Sequence, residues 1–230
     1  MTLFAQIDAW IIDAESKIPQ QGRKKKVRLY CEGVKSKLTQ AEYSLAQLTL
    51  YSNQSDDTTT TTDSEEISIT DRVGFYCDAY WAFLYSSLDI LAQVINQSQK
   101  LGRDEKDVSF KKIEQKLRSA PHMGTRLQRD VSTCLSSFAF RNLDKYRNCS
   151  THRRQIFIRE QSFRLTTTDT PGYKTTSTGP VTAIRRVICE NPLEVTPKIG
   201  QLRQIPQYMT ENQAKILEFV SDIFKNLTPI

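Results

Sequence analysis

The sequence predicts a mainly α-helical bundle with a small β-hairpin insertion before its C-terminal helix. Two observations carry this expectation. Apolar residues recur at steps of three and four through most of the first 146 positions and again near the end. Between those regions, Gln155–Thr166 and Thr182–Glu190 alternate apolar with polar residues, the period of a strand.

The elements follow in order. Residues Thr2–Lys17 place Leu3, Ile7, Trp10, Ile11 and Ala14 on one helical face, with Pro19 and Gly22 breaking the pattern. A long helix is expected from about Arg23 to Tyr51, striped by Val27, Val34, Leu38, Ala41, Leu45 and Leu48. Ser52–Thr70, with five consecutive threonines, has no apolar period and reads as a surface loop or linker. Thr70-Asp71 can cap a helix from Arg72 to about Gln99, whose apolar face begins with Val73, Tyr76, Tyr80, Phe83 and Leu84. Helices around Phe110–Arg118 and from about Thr125 to Tyr146 come next. The Thr-, Pro- and Gly-rich run Thr167–Pro180 joins the two strands, and Pro192, Pro197 and Pro206 mark a connector. A last helix starts at Thr210-Glu211-Asn212-Gln213, where threonine and glutamine have capping-box spacing. The expected divisions are 1–51, N-terminal helices on the bundle; 52–70, loop; 71–154, helical core; 155–209, β insertion and connector; and 210–230, terminal helix.

Composition bounds the function. A chain of 230 residues fits one core, since cores divide beyond about 250. A formal charge of +6 favours an anionic partner, nucleic acid first. The first 17 residues lack a basic n-region, and no run reaches the roughly 18 uncharged apolar residues of a membrane span. Five scattered cysteines without a C-x-x-C pair argue against a disulfide framework or zinc site. The expectation is a cytoplasmic chain with no membrane partner, metal or cofactor.

Chemistry concentrates in Arg147-Asn148-Cys149-Ser150-Thr151-His152. No phosphate loop, dinucleotide fingerprint, zinc-protease helix or nucleophile elbow occurs. Of the two histidines, His122 lies in the turn Pro121-His122-Met123-Gly124. His152 follows Arg147 by five residues. On a straight helix that separates them by about 140°, so they converge only at a helix end or bend, or across two chains. A histidine can move protons between a ribose 2′-OH and a leaving 5′-oxygen, while an arginine fork holds phosphate oxygens. Asn148 could hold the phosphate or fix the histidine tautomer. Arg141, Lys145, Arg153, Arg154, Arg159 and Arg164 surround the run and suit either an RNA track or a solvated face. Cys149 reads as a packed thiol.

Arg147-Asn148-x-x-x-His152 resembles the R-x(4–6)-H motif of the HEPN superfamily, including the polar residue after the arginine. The aromatic-rich long helix, the helix leading into the motif and the terminal helix resemble that setting. The resemblance covers about Asp71–His152 and Thr210–Leu227. It implies a HEPN-like bundle that dimerises and, in active members, cleaves RNA without metal. Such proteins commonly serve in prokaryotic toxin–antitoxin or antiviral defence systems, so an antitoxin protein is a possible partner. By the same resemblance Arg147 binds phosphate, Asn148 assists and His152 is the acid–base group. A catalytically silent module that binds RNA, nucleotide or protein is the alternative. Some toxin members carry a modifiable tyrosine two residues after the histidine; Arg154 stands there in this chain.

Overall fold

The computed structural model describes residues 2–52, 69–119, 121–152, 158–164, 183–189 and 203–230. Helix α1 (Leu3–Lys17) begins where Thr2 Oγ1 accepts the Ala5 amide at 3.3 Å. It buries Ile7, Trp10, Ile11 and Ala14, and its Trp10 Nε1 donates to the Leu227 carbonyl. Pro19 separates it from α2 (Gln21–Ser52), but Gly22 lies inside the first turn of α2 and does not end a helix.

Helices α2 and α3 (Ile69–Ser98) form the longest pairing in the fold. Arg23 donates to the carbonyls of Gln97 and Ser98, Lys37 lies over the Phe83 ring, and Tyr51 stacks on Tyr76. Rising numbers on one helix therefore meet falling numbers on the other, so the two are antiparallel. Gly33 permits the close approach, because a Cβ there would stand 3.2 Å from Ile90 Cγ2. On α3, Cys77, Tyr80, Trp81, Leu84, Leu88, Leu91 and Ile95 are buried. That spacing is the helical period predicted from sequence, but α3 starts at Ile69, so Thr70-Asp71 stand within the helix. Residues 53–68, most of the expected loop, lie outside the described residues.

After Gly102, at φ +70°, a short 3₁₀ turn leads to α4 (Phe110–Leu117), capped by Ser109. Thr125 caps α5 (Arg126–Ser136). The single helix expected from Thr125 to Tyr146 is two. Ser137 is extended at ψ 153°, and its Oγ accepts the Phe140 amide at 3.1 Å while donating to the Cys134 carbonyl. One serine thus closes α5 and caps α6 (Phe138–His152), which runs past Tyr146 to the histidine. Apolar periodicity missed this break because the buried stripe continues across it.

The expected fold class needs correction. The bundle is all-α: seven helices and the residues flanking them supply the whole described core. A simple β-hairpin insertion is not what precedes the last helix. β1 (Ile158–Arg164) and β2 (Ala183–Cys189) pair antiparallel, Ile158 opposite Cys189, and β3 (Arg203–Gln204) pairs with the other edge of β2. The order is β1-β2-β3, and β3 runs directly into α7 (Ile205–Asn226). Two residues are too few to show alternation, so β3 read as connector. The joining run Thr167–Pro180 lies outside the described residues, as do Pro192 and Pro197.

The capping box at Thr210 is likewise absent. Helix α7 is already one turn old there, and Thr210 Oγ1 donates back to the Pro206 carbonyl at 2.8 Å. Pro206 falls in the first turn, where its missing N–H costs nothing. Helix α7 closes the bundle through Met209, Ile216, Val220, Ile223 and Phe224, with Tyr80 donating its hydroxyl to the Met209 carbonyl at 2.7 Å. Leu84→Ala, in the fully buried α3 stripe, is expected to cost about 2–5 kcal/mol in urea denaturation. Ile12→Ala, at a site 71% exposed, is expected to stay within about 0.5 kcal/mol of the parent.

Candidate functional site

Helix α6 carries the motif, and α3 sets its rotation. Tyr146 stacks on Trp81 with centroids 4.6 Å apart and planes 6° from parallel, while Phe140 lies 6.0 Å from Phe110 and 6.2 Å from Tyr85. These contacts turn Phe140, Leu143 and Tyr146 into the core. Arg141 and Lys145 are exposed.

Arg147 is half-buried beside α3. Its guanidinium lies 4.8 Å from the centre of the Tyr85 ring and donates through Nη1 to Asn148 Oδ1 at 2.9 Å. Close to it stand Asp89 and Asp144, and Lys111 pairs with Asp144 at 2.8 Å. Burial pushes the Tyr85 hydroxyl up to about 12, with the carboxylates of Asp89 and Asp144 adding to the rise and Arg147 opposing it. Burial also raises the Asp89 carboxyl, against the Phe110 amide, Arg147 and Lys111, which favour its charge. Asp89 Oδ1 accepts that Phe110 amide at 3.1 Å, tying the start of α4 to α3.

The helix is unbroken between Arg147 and His152, so the two positions remain about 140° apart in register. Position 152 falls in the same register row as 141, 145 and 148, each separated by three or four residues. Asn148 belongs to that row and also holds the Arg147 guanidinium, making it the link between the two faces. The side chains of His152, Arg159 and Arg164, and all of Arg153 and Arg154, lie outside what the structure describes.

Arg141 and Lys145 line an open groove of about 390 Å³ together with Lys111, Asp144 and Glu114. Glu114 is almost fully buried and accepts from Arg118 and Ser132, so its charge is spoken for within the fold. Three cations therefore edge this groove, and Lys111 among them was not singled out from sequence. Nor were Tyr85 and Asp89. The available signal was a tyrosine and a carboxylate four residues apart, Tyr85 and Asp89, on a long, aromatic-rich helix. His122 sits in the expected turn, its carbonyl accepting from Thr125, away from this cluster.

Cys31, Cys77 and Cys134 are buried, and burial lifts the thiols of Cys31 and Cys134 to about 12. Among the described residues, no group of three or more His, Cys, Asp or Glu is placed to hold a metal ion. None of the described helices is long and apolar enough to cross a membrane.

A family model described as HEPN_Cthe2314-like HEPN matches residues 30–227. The match takes in most of α2 and all three strands, well beyond the segments whose resemblance was legible around the motif. Comparisons with curated proteins and with solved structures each found no match.

Because burial raises the Asp89 carboxyl, its protonated form favours the fold, and that contribution fades as pH rises through the raised value. Asp89→Asn keeps an acceptor for Phe110 without the charge. Its stability relative to the parent should therefore climb from about pH 4 upward and level off once the pH has passed the raised value, in urea titrations across pH.

Proposed function

The chain belongs to the HEPN_Cthe2314-like HEPN family, and on that footing we propose that it is a metal-independent endoribonuclease whose site pairs Arg147 with His152 across two copies of α6. The observation that carries this reading is the unbroken helix from Phe138 to His152. Within one chain its register keeps arginine and histidine on different faces. A second copy, related by a two-fold axis, can bring the arginine face of one helix against the histidine row of the other.

The roles follow from the chemistry. Arg147 neutralises the phosphate oxygens as charge builds on them. His152 takes the 2′-OH proton and returns one to the leaving 5′-oxygen, giving a 2′,3′-cyclic phosphate. Asn148 holds the guanidinium and hands it toward the histidine row. Arg141 and Lys145, with Lys111 beside them, provide an electrostatic path for the RNA backbone. Arg153, Arg154 and Arg159 extend it in sequence. The cellular setting that suits such an enzyme is a prokaryotic defence or toxin–antitoxin system in the cytoplasm, with an antitoxin protein as regulator. Arg154 in place of a tyrosine excludes control by tyrosine modification at that position.

One observation favours the silent alternative. The Arg147 guanidinium is already engaged by Tyr85 and Asn148, an arrangement that also serves a purely structural arginine. Cleavage assays in EDTA separate the two readings. Wild type should cut single-stranded RNA to cyclic-phosphate ends, and Arg147→Ala and His152→Ala should each lose about 10²-fold or more. Mixing the two inactive variants should restore part of the activity, since one composite site in each mixed dimer is intact. RNA binding without cleavage by all proteins would establish the silent module instead. Cleavage that survives His152→Ala would remove that histidine from the mechanism.

A further inference from the structure

Two carboxylates stand near the Arg147 guanidinium, yet neither is what holds it. Asp89 Oδ1 accepts the Phe110 amide at 3.1 Å, and Asp144 Oδ2 takes the Lys111 ammonium at 2.8 Å. Among the described residues, Arg147 is held instead by the face of the Tyr85 ring, 4.8 Å from its centre, and by the neutral side chain of Asn148 at 2.9 Å. Asp144 lies three residues before Arg147 on α6, the spacing at which helical neighbours form ion pairs. A half-buried arginine so placed would ordinarily take that carboxylate.

The two ways of holding a guanidinium differ in what they leave behind. A carboxylate cancels its charge and occupies its N–H fork. A ring attracts through its quadrupole, fixing position while the net charge stays in place. Tyr85 is itself well seated: the Phe140 ring lies 6.2 Å away, and its hydroxyl end stands by Asp144. Lys111 completes the arrangement. Its bond to Asp144 removes a competitor for Arg147, and its ammonium lies over the Phe140 ring at 5.9 Å.

We propose that Tyr85 is a positioning residue of the Arg147 site: its ring holds the guanidinium in place and off Asp89 and Asp144, so that the charge is left for an RNA phosphate. The inference rests on the reading of Arg147 as the phosphate-binding arginine. It adds to that site a residue on another helix, which the R-x(4–6)-H spacing does not contain. Lys111 gains a task beyond steering RNA, because by occupying Asp144 it protects the cation that meets the phosphate. An engaged arginine is then not a silent one, since neither the ring nor the amide cancels its charge.

The test compares the full chain with Tyr85→Phe, Tyr85→Leu and the double variant Tyr85→Leu with Asp144→Asn. Cleavage of single-stranded RNA in EDTA gives kcat and KM separately. Tyr85→Phe keeps the ring and should stay within about twofold of wild type. Tyr85→Leu should lower kcat about tenfold with KM little changed, because Lys111, Arg141 and Lys145 still meet the strand. Asp144→Asn in that background should recover most of the loss by removing the competing carboxylate. A tyrosine needed only for packing would give no such recovery.

The side-chain N–H resonance of Arg147, assigned by its loss in Arg147→Lys, reads the same geometry without cleavage. Ring current should shift it upfield in wild type and Tyr85→Phe but not in Tyr85→Leu. A ten-residue 2′-O-methyl RNA, which cannot be cut by its own 2′-oxygen, should move it far more in wild type than in Tyr85→Leu. Lys111→Met, at an exposed site, serves if Tyr85→Leu fails to fold: freeing Asp144 should draw the resonance away from its ring-shifted position. Four results each overturn the role of Tyr85 while the nuclease stands: equal kcat in wild type and Tyr85→Leu, a loss that Asp144→Asn does not recover, Tyr85→Phe as impaired as Tyr85→Leu, or an Arg147 resonance with no ring shift. No cleavage by wild type, with the resonance behaving as expected, removes the nuclease and leaves the positioning.

Discussion

The stack of Trp81 on Tyr146 is the contact on which the rest of the site depends. Trp81 is essentially inaccessible, and Tyr208 of α7 leans against both rings at 6.2 and 6.1 Å. Three helices therefore meet at one aromatic junction, worth about 0.5–1.5 kcal/mol per ring pair beyond simple burial. It fixes both the height and the rotation of α6 against α3. The next residue on α6 is Arg147, and one turn along α3 from Trp81 is Tyr85. The arginine's perch on that ring is a direct product of the junction.

This geometry gives α6 two working sides. One side turns toward α3, where burial lifts Tyr85 and Asp89 and weak solvation strengthens every charge interaction around Arg147. The other side carries a row of polar and basic positions toward a groove edged by Lys111. Asn148 touches both through its bond to the guanidinium. A helix that holds a cation on one side while presenting a basic row on another is the arrangement that the proposed grip on one phosphate of a longer strand would use.

Much of this was legible in the sequence because it rests on periodicity. The α3 stripe from Tyr80 to Ile95 and the α7 stripe from Ile216 to Phe224 fell where the apolar steps put them. What escaped depended on single hydrogen bonds or on partners distant in sequence. Thr210 has the residue types of a cap but spends its hydroxyl on Pro206, because β3 had already started α7 five residues earlier. Ser137 ends one helix and begins another without interrupting the apolar pattern. Arg147 was visible as chemistry, but its Tyr85 ring lies 62 positions away, and only the packing of α6 on α3 brings them together. The strands were legible as alternation; the third was too short to alternate.

The Ser137 break also turns length into a design variable. It starts α6 afresh, so the direction in which every later residue points is counted from this serine. Adding or removing one residue between Ser137 and Arg147 would rotate everything beyond it by about 100° and slide it about 1.5 Å. The Ser137 cap and the aromatic junction, with the arginine perch beside it, could not then both be satisfied. A break that looks like a minor interruption is, in this sense, the zero mark of a goniometer: evolution can vary many side chains along α6, but not how many lie between that mark and the motif.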